Sequence, residues 1–289
     1  MCSAQPVLVT GGTGYTGQHL VHRLVGSGHN VRVLVRPESD TTLLPERVEI
    51  VRGDLEEAAT LKPALDGVRL IYHVAHVRFT GHLLQHVAAD IEHIVIISSL
   101  RALSRVASDT VDQVLAGEAA IASVGAPWTI LRPSMIFGTG DDRNISRLVS
   151  RIRRRKWVPA AGRDCLHQPV FIEDVIEAIL ACPGAAAAHG QTYAIAGAMP
   201  LTWDALVETV GDVVGQRPRS LPVPTTALAG ILSSIESTGI RLPVQAEQLR
   251  RMLEDKAYDI EPARRDLGYA PLSFRQAIEQ IYGSPANEA

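Results

Sequence analysis

Residues 6–17 read Pro-Val-Leu-Val-Thr-Gly-Gly-Thr-Gly-Tyr-Thr-Gly, an apolar run of strand character that enters three glycines spaced three apart. Gly11, Gly14 and Gly17 are followed by Leu20, Val21, Leu24 and Val25 at helical spacing, so the segment reads as strand, tight turn and helix. Each glycine has a use in such a unit: one lets the chain turn, one lets backbone approach a pyrophosphate, and one lets the helix pack on its strand. An anion would then lie against the first N–H groups of the helix, where the helix dipole favours negative charge. Thr13, Tyr15 and Thr16 sit between these glycines and are expected to face the same ligand.

The second strand, Val31–Val35, ends at Arg36. In a dinucleotide fold an acidic side chain here would accept from the ribose 2′-OH of NAD. Arginine cannot accept that bond, but its guanidinium can clamp a 2′-phosphate, so Arg36 points to NADP and makes NAD the weaker candidate. An arginine simply facing water is the plainer alternative. After a third strand at 48–51 comes Gly53-Asp54-Leu55. Asp54 could accept from the adenine amino group or could cap the helix that follows, and the adenine role is favoured.

Strand and helix patterns keep alternating: strands at 70–74, 94–97 and 128–131, helices at 79–89 and 109–124. That alternation predicts an α/β fold with a doubly wound parallel sheet of Rossmann type. Ligands of such sheets lie beyond the carboxyl ends of the strands, which singles out Val74-Ala75-His76, Ser98-Ser99-Leu100-Arg101 and Arg132-Pro133 onward. Beyond 137 the pattern loosens into a polar loop holding Asp141, Asp142, Arg143 and Asn144, then a basic helix, a strand at 191–195 and mostly helices. The expected division is a nucleotide-binding domain over 1–165 and a smaller, mostly helical substrate portion over 166–289, with part of 166–200 returning to the sheet.

Composition excludes several classes. A chain of 289 residues with formal charge −3 and no basic stripe is not built for nucleic acid or an anionic membrane. Its 3 cysteines, Cys2, Cys165 and Cys182, lack metal spacing and fit a reduced, cytoplasmic protein. Because the first strand begins almost at once, no signal peptide is expected, and no apolar run reaches membrane length. The least polar stretch, 221–235, holds two prolines and reads as a buried or substrate-side helix. His82 and His86 have chelating spacing but no third ligand, so no metal site is expected.

Thr10-Gly-Gly-Thr-Gly-Tyr-Thr-Gly17, Gly53-Asp-Leu55, Val74-Ala75, Ser98-Ser99, Trp128-Thr-Ile-Leu-Arg-Pro133 and Val170-Phe-Ile-Glu-Asp-Val175 together resemble the extended short-chain dehydrogenase/reductase superfamily over nearly the whole chain. Asp255-Lys-Ala-Tyr-Asp259 and Leu267-Gly-Tyr-Ala-Pro271 look like the tail of nucleoside-diphosphate-sugar epimerase relatives. The resemblance implies NAD(P)-dependent hydride chemistry on a sugar nucleotide or another small polar metabolite. It places backbone at Ala75 and Pro133, and Ser98, near the nicotinamide end. It also implies a homodimer through the helices 79–89 and 109–124.

One departure stands out. The family's proton relay is a tyrosine with a lysine four residues later. The 6 tyrosines here are followed at that spacing by His19, His76, Gly197, Pro262, Ser273 and Ala286, and the corresponding positions fall near Thr110 and Val114. In one reading the chain is still an enzyme. Ser99 then bonds a substrate oxygen, Arg101 binds an anionic substrate, and His76 moves a proton near neutral pH. In the other it binds NADP without turnover, as a redox sensor or assembly subunit resembling the NmrA-like regulators.

Overall fold

The computed structural model describes residues 5–139, 142, 144–155, 157–225, 229, 232 and 246–283. Its centre is a 7-stranded sheet in which every neighbouring pair is parallel. The strands are β1 (Val7–Thr10), β2 (Val31–Val35), β3 (Glu49–Arg52), β4 (Leu70–His73), β5 (His93–Ile97), β6 (Trp128–Pro133) and, late in the chain, β11 (Gln191–Ile195). Their spatial order is β11-β6-β5-β4-β1-β2-β3, so the winding reverses at β1 and opens a crevice between the ends of β1 and β4.

The strands are apolar on both faces because helices cover both. Val7 and Val9 enter one apolar layer while Leu8 enters the other. Val33 and Val35 alternate with Leu34, and Val95 and Ile97 with Ile94 and Ile96, in the same way. The first layer takes Leu20, Val21 and Leu24 of α1 (Tyr15–Gly26) and the apolar face of α6 (Ile172–Ala181). The second takes α2 (Ala58–Leu65), α3 (Thr80–Leu84) and α4 (Asp109–Ala119). Burying a leucine or valine side chain contributes roughly 1.5–3 kcal/mol, so α1 is held mainly by three side chains.

Two helices are shorter than their sequence patterns suggest. α3 stops at Leu84, and 85–92 unwinds into turns that lower Val87 and Ile91 onto the second layer. α4 gives way at Ala120 to a tighter 3-10 turn ending at Ser123. β11 does return to the sheet, pairing with β6 from Gln191–Thr129 to Ile195–Pro133.

Part of the remaining chain stands over the carboxyl ends of β5 and β6, where it encloses two cavities. This remainder is built from α5 (Ile145–Arg154), α7 (Trp203–Val213), α8 (Ala246–Met252), α9 (Glu261–Leu267) and α10 (Phe274–Tyr282). Three two-stranded pairs tie it together: β7 (Ile136–Phe137) with β10 (Val170–Phe171), β9 (Leu166–His167) with β12 (Leu201–Thr202), and β8 (Trp157–Ala160) with β13 (Arg219–Pro222). Asp142 caps α5 by accepting from the N–H groups of Asn144 and Ser146 at 3.0 and 3.1 Å. Asp141, Arg143, Lys156, Cys2 and most of the 221–235 stretch lie outside the described residues.

The glycine turn is the tightest point of the fold. A Cβ on Gly17 would lie 2.1 Å from the Gly11 carbonyl oxygen, which is backbone and cannot step aside. Gly17→Ala is therefore expected to cost at least about 2 kcal/mol in urea unfolding. Gly26→Ala is the control: its Cβ meets nothing within 4 Å and the change should stabilise α1 by up to about 1 kcal/mol. A Gly17→Ala protein as stable as the parent would contradict this packing.

Candidate active site

Gly11 takes φ +71°, and a Cβ there would fall 2.5 Å from the Ala75 nitrogen. The turn after β1 and the chain leaving β4 thus touch backbone to backbone, at the reversal point of the sheet. Gly14 is different: it is exposed, and a Cβ would meet only the Gly11 oxygen, at 3.3 Å. Gly14 caps α1 with extended backbone, no side chain caps the helix, and no acidic residue stands in its first turn. Gln18 steadies the turn by donating from Nε2 to the Thr13 carbonyl at 2.8 Å. A bare, uncharged helix start with close backbone access fits a pyrophosphate, so the residues present suit a dinucleotide. Thr13 and Thr16 are half-buried beside it. Tyr15 points elsewhere, its hydroxyl accepting from the Thr139 N–H at 3.2 Å and so joining the turn to the loop after β7.

Gly12 was not singled out from sequence, yet its place is as constrained: a Cβ would lie 2.4 Å from a methyl of Val33. Arg36, at the end of β2, keeps 69% of its side chain exposed and pairs at 3.5 Å with Glu38. Arg52 ends β3 beside it, donating to the Pro37 carbonyl at 2.6 Å. An exposed and a tethered guanidinium therefore flank this end of the crevice. Asp54 is held by Thr60, whose hydroxyl accepts from the Asp54 N–H and donates to its carbonyl, both at 2.9 Å. One carboxylate oxygen of Asp54 accepts from the Glu56 N–H at 2.9 Å, so part of this side chain does serve the following turn. Leu55 packs on the second apolar layer.

Beyond β5, Ser98 and Ser99 have separate surroundings. Ser98 donates its hydroxyl to Glu118, which also receives a bidentate pair from Arg132, at 2.9 and 2.5 Å. Glu118 is only 8% exposed, so this cluster locks α4 to the ends of β5 and β6. Ser99 caps a 3-10 turn, its oxygen accepting from the Arg101 N–H at 3.2 Å, and its hydroxyl lies on the wall of a cleft. His76 is exposed, and its Nδ1 accepts from the Arg78 N–H at 3.2 Å. Partial desolvation, then the charges of Arg78 and Arg101, hold its pKa below the usual value, which favours a neutral imidazole at pH 7.

Two adjoining cavities open over these strand ends. One, of about 820 Å³, is lined by Ser99, Pro133, Ser134, Gln168, Lys256 and Tyr258 among others. The other, of about 660 Å³, reaches from Arg101 and Thr110 to α5, α7 and α8. Thr110 faces this second cavity, while Val114 is buried in the apolar layer under α4.

The segment 254–258 closes the cleft. Glu254 accepts from the Ser104 hydroxyl and the Arg105 N–H at 2.8 and 2.6 Å, and the Lys256 N–H donates to the Leu166 carbonyl at 2.8 Å. The Lys256 ammonium donates to the carbonyls of Arg251 and Glu254 at 2.7 and 3.0 Å, and burial pulls its pKa down. Sequence reasoning missed Lys256, Arg251 and His167, because their common position depends on chain crossings that no spacing encodes.

The NAD(P)H-binding domain family matches residues 11–153. The chain is 26% identical to the 3β-hydroxysteroid dehydrogenase/Δ5→4-isomerase of Mycobacterium tuberculosis, over 95% of this chain and 88% of the relative. It is 27% identical to the 2-alkyl-3-oxoalkanoate reductase of Stenotrophomonas maltophilia, over 97% of this chain and 99% of the relative. Among solved structures, the UDP-glucose 4-epimerase of Thermotoga maritima superposes with a TM-score of 0.73 at 16% identity, covering 96% of this chain and 97% of that one. Residues 11–153 thus match an NAD(P)H-binding domain, the whole chain is similar to a dehydrogenase and a reductase, and its fold is shared with an epimerase. No helix among the described residues is long and apolar enough to cross a membrane.

Burial also sets a pH response. His73 bonds Thr10 through Nδ1 at 2.8 Å, His93 meets Thr129 through Nε2 at 2.9 Å, and His167 lines both cavities. Burial pushes all three imidazoles down to about 4. An unfolded histidine titrates near 6.5, so between these values the unfolded chain holds more protons and stability rises with pH. Asp174 opposes this: burial raises its carboxyl to about 6, which favours the folded state as pH falls below that value. Three groups outweigh one. Thermal unfolding at pH 7, 6 and 5 should show a falling Tm, a net loss on the order of 3–4 kcal/mol. A flat profile would mean that these imidazoles reach water.

Proposed function

We propose that this protein is an NADP-dependent oxidoreductase that moves hydride at a carbonyl or carbinol carbon of a small metabolite. The observation that carries this reading is the glycine turn set backbone to backbone against Val74 and Ala75, facing a cleft. Gly11, Thr13, Gly14, Tyr15, Thr16 and Gly17 form the pyrophosphate end, with Tyr15 acting through its tie to Thr139. Arg36 meets the 2′-phosphate, helped by Arg52. Asp54 and Leu55 border the adenine, and Ala75, Ser98 and Pro133 border the nicotinamide. The dinucleotide, when bound, supplies or accepts the hydride. Ser98 contributes by holding α4 in place, since its hydroxyl is engaged by Glu118.

On the substrate side, Ser99 donates to the reacting oxygen, because capping uses only a lone pair of its hydroxyl. Arg101 attracts an acid group, and His76, exposed and within reach of the Arg101 charge, passes a proton. This set stands in for the tyrosine and lysine, whose positions hold Thr110 and Val114. The substrate portion begins near residue 166, apart from β11. The tail motif resembles sugar-nucleotide epimerases, whereas two relatives are named for a hydroxysteroid and an oxoalkanoate. The missing pair also favours a second reading, a sensor that binds NADP without turnover. A cleft lined by Ser99, Arg101 and Lys256 speaks for the enzyme.

Calorimetric titration with NADP⁺, NADPH, NAD⁺ and NADH tests the cofactor. Both NADP forms should bind in the micromolar range, and Arg36→Ala should weaken them at least tenfold while leaving NAD within a factor of two or so. Equal loss for both cofactors removes Arg36 from the 2′-phosphate. Preference for one redox state without consumption of the other supports the sensor. Ser99→Ala should lower kcat by about a hundredfold or more with cofactor affinity unchanged, and full activity would exclude Ser99.

A further inference from the structure

The two cavities differ in character. The one nearer the sheet presents serines, Gln168 and Tyr258. The one beneath α5, α7 and α8 presents Ile145, Leu148, Val158, Trp203 and Met252 between the polar ends of Asn144, Arg147, Arg151 and Gln248, and more of its wall is hydrocarbon than polar. Cations gather at the junction of the two. Arg101, Arg251 and Lys256 line both cavities, whereas Glu247 is the one acid on the apolar cavity among the described residues. Glu247 is already bonded to Arg251, at 3.3 Å. The Arg101 guanidinium is half-buried with no hydrogen bond or ion pair among the described residues. Burial, then the facing charge of Arg251, lower its pKa, and Glu247 offsets this only in part.

A second, independent observation lies beside it. His167 is 7% exposed, lines both cavities, and neither ring nitrogen has a hydrogen-bond partner among the described residues. Its ring packs edge-on to Trp203 at 5.6 Å, and the Trp203 indole N–H is also buried without a partner among the described residues. Buried polar atoms are normally satisfied, and leaving one unpaired costs about 1–3 kcal/mol. Two such groups on one cavity wall mark a place where a ligand supplies the missing bonds.

We propose that the cavity beneath α5, α7 and α8 binds an anionic amphiphile, with its acid group between Arg101 and Arg251, its apolar body along Leu148, Val158 and Trp203, and His167 giving the polar contact inside that wall. The volume of about 660 Å³ lies in the usual range for a small-molecule site. The reacting carbon would then stand in the polar cavity, toward Ser99. This rests on the oxidoreductase reading only for what happens at that end. The class it names is a carboxylate or phosphate monoester carrying a hydrocarbon chain or ring, not a sugar nucleotide.

The test is calorimetric titration of the full chain, saturated with NADPH, with decanoate, decyl phosphate, 1-decanol, UDP and inorganic phosphate. Decanoate or decyl phosphate should bind at least tenfold more tightly than decanol, and the tighter of the two identifies the acid group. UDP and inorganic phosphate should show no saturation in the same range. Arg101→Ala should bring the acid down to the decanol level, a loss of tenfold or more, and Arg101→Lys should recover part of it. Leu148→Gln should weaken acid and alcohol alike. His167→Phe should weaken the acid and shift the pH dependence of its binding. UDP binding tighter than either acid overturns the proposal, as does acid binding indifferent to Arg101→Ala. NADPH binding measured on the same samples shows that each variant is folded. It also separates the two ideas: NADPH without amphiphile sinks this inference alone, and amphiphile without NADPH sinks the cofactor assignment alone.

Discussion

The contact between Gly11 and Ala75 is the constraint on which the rest of the molecule depends. Backbone there comes so close that no side chain fits, and the contact fixes the end of β1 against the end of β4. That is the point where the sheet order reverses, and so where a crevice must open. Gly17 and Gly12 extend the constraint outward, one against the Gly11 carbonyl and the other against Val33. The three close approaches set α1 on the sheet with its uncapped start facing the crevice. Only Gly14 is left loosely packed, which is what a ligand approaching the turn requires.

A second lock works at the other side of the crevice. Ser98, Glu118 and Arg132 come from β5, α4 and β6 and form one hydrogen-bonded cluster around a nearly buried carboxylate. A buried ion pair of this kind adds little net stability over an apolar substitute, but breaking it leaves an uncompensated charge. Its value here is geometric: it holds the strand ends, and with them Ser99 and Pro133, at a fixed distance from α4. In the short-chain dehydrogenase/reductases that the sequence resembles, the tyrosine–lysine relay would occupy that same helix. In this chain Val114 lies in the apolar layer and Thr110 faces the cleft, whose opposite wall carries Lys256 and His167.

Much of the nucleotide half was legible in the residues. Apolar runs such as Val7-Leu-Val9 and Ile94-Val-Ile-Ile97 can only be strands buried on both faces, and the glycine spacing can only serve a close approach. Arg36 and Asp54 fall at strand ends because strand length and turn chemistry are local properties. The end of α3 was not legible: Leu83, Val87 and Ile91 suit a longer helix, and what unwinds it is the layer they must reach. The two possibilities for Asp54 show a similar limit, since one carboxylate oxygen reaches the Glu56 N–H and the choice depends on side-chain direction.

The sequence by itself determined the parallel sheet, the position of its glycine turn, and the absence of a tyrosine–lysine pair at the usual spacing. These follow from periodicity and from steric rules that act over a few residues. Tertiary structure alone decided that Arg101, His167, Arg251 and Lys256 share one cleft. They come from a loop after β5, a two-residue strand, a late helix and the strap behind it, so nothing in their order along the chain announces their meeting. Tertiary structure also decided that two buried rings there would lack partners. A histidine in a sequence can be satisfied in many ways, and only the packed surroundings show when it is not.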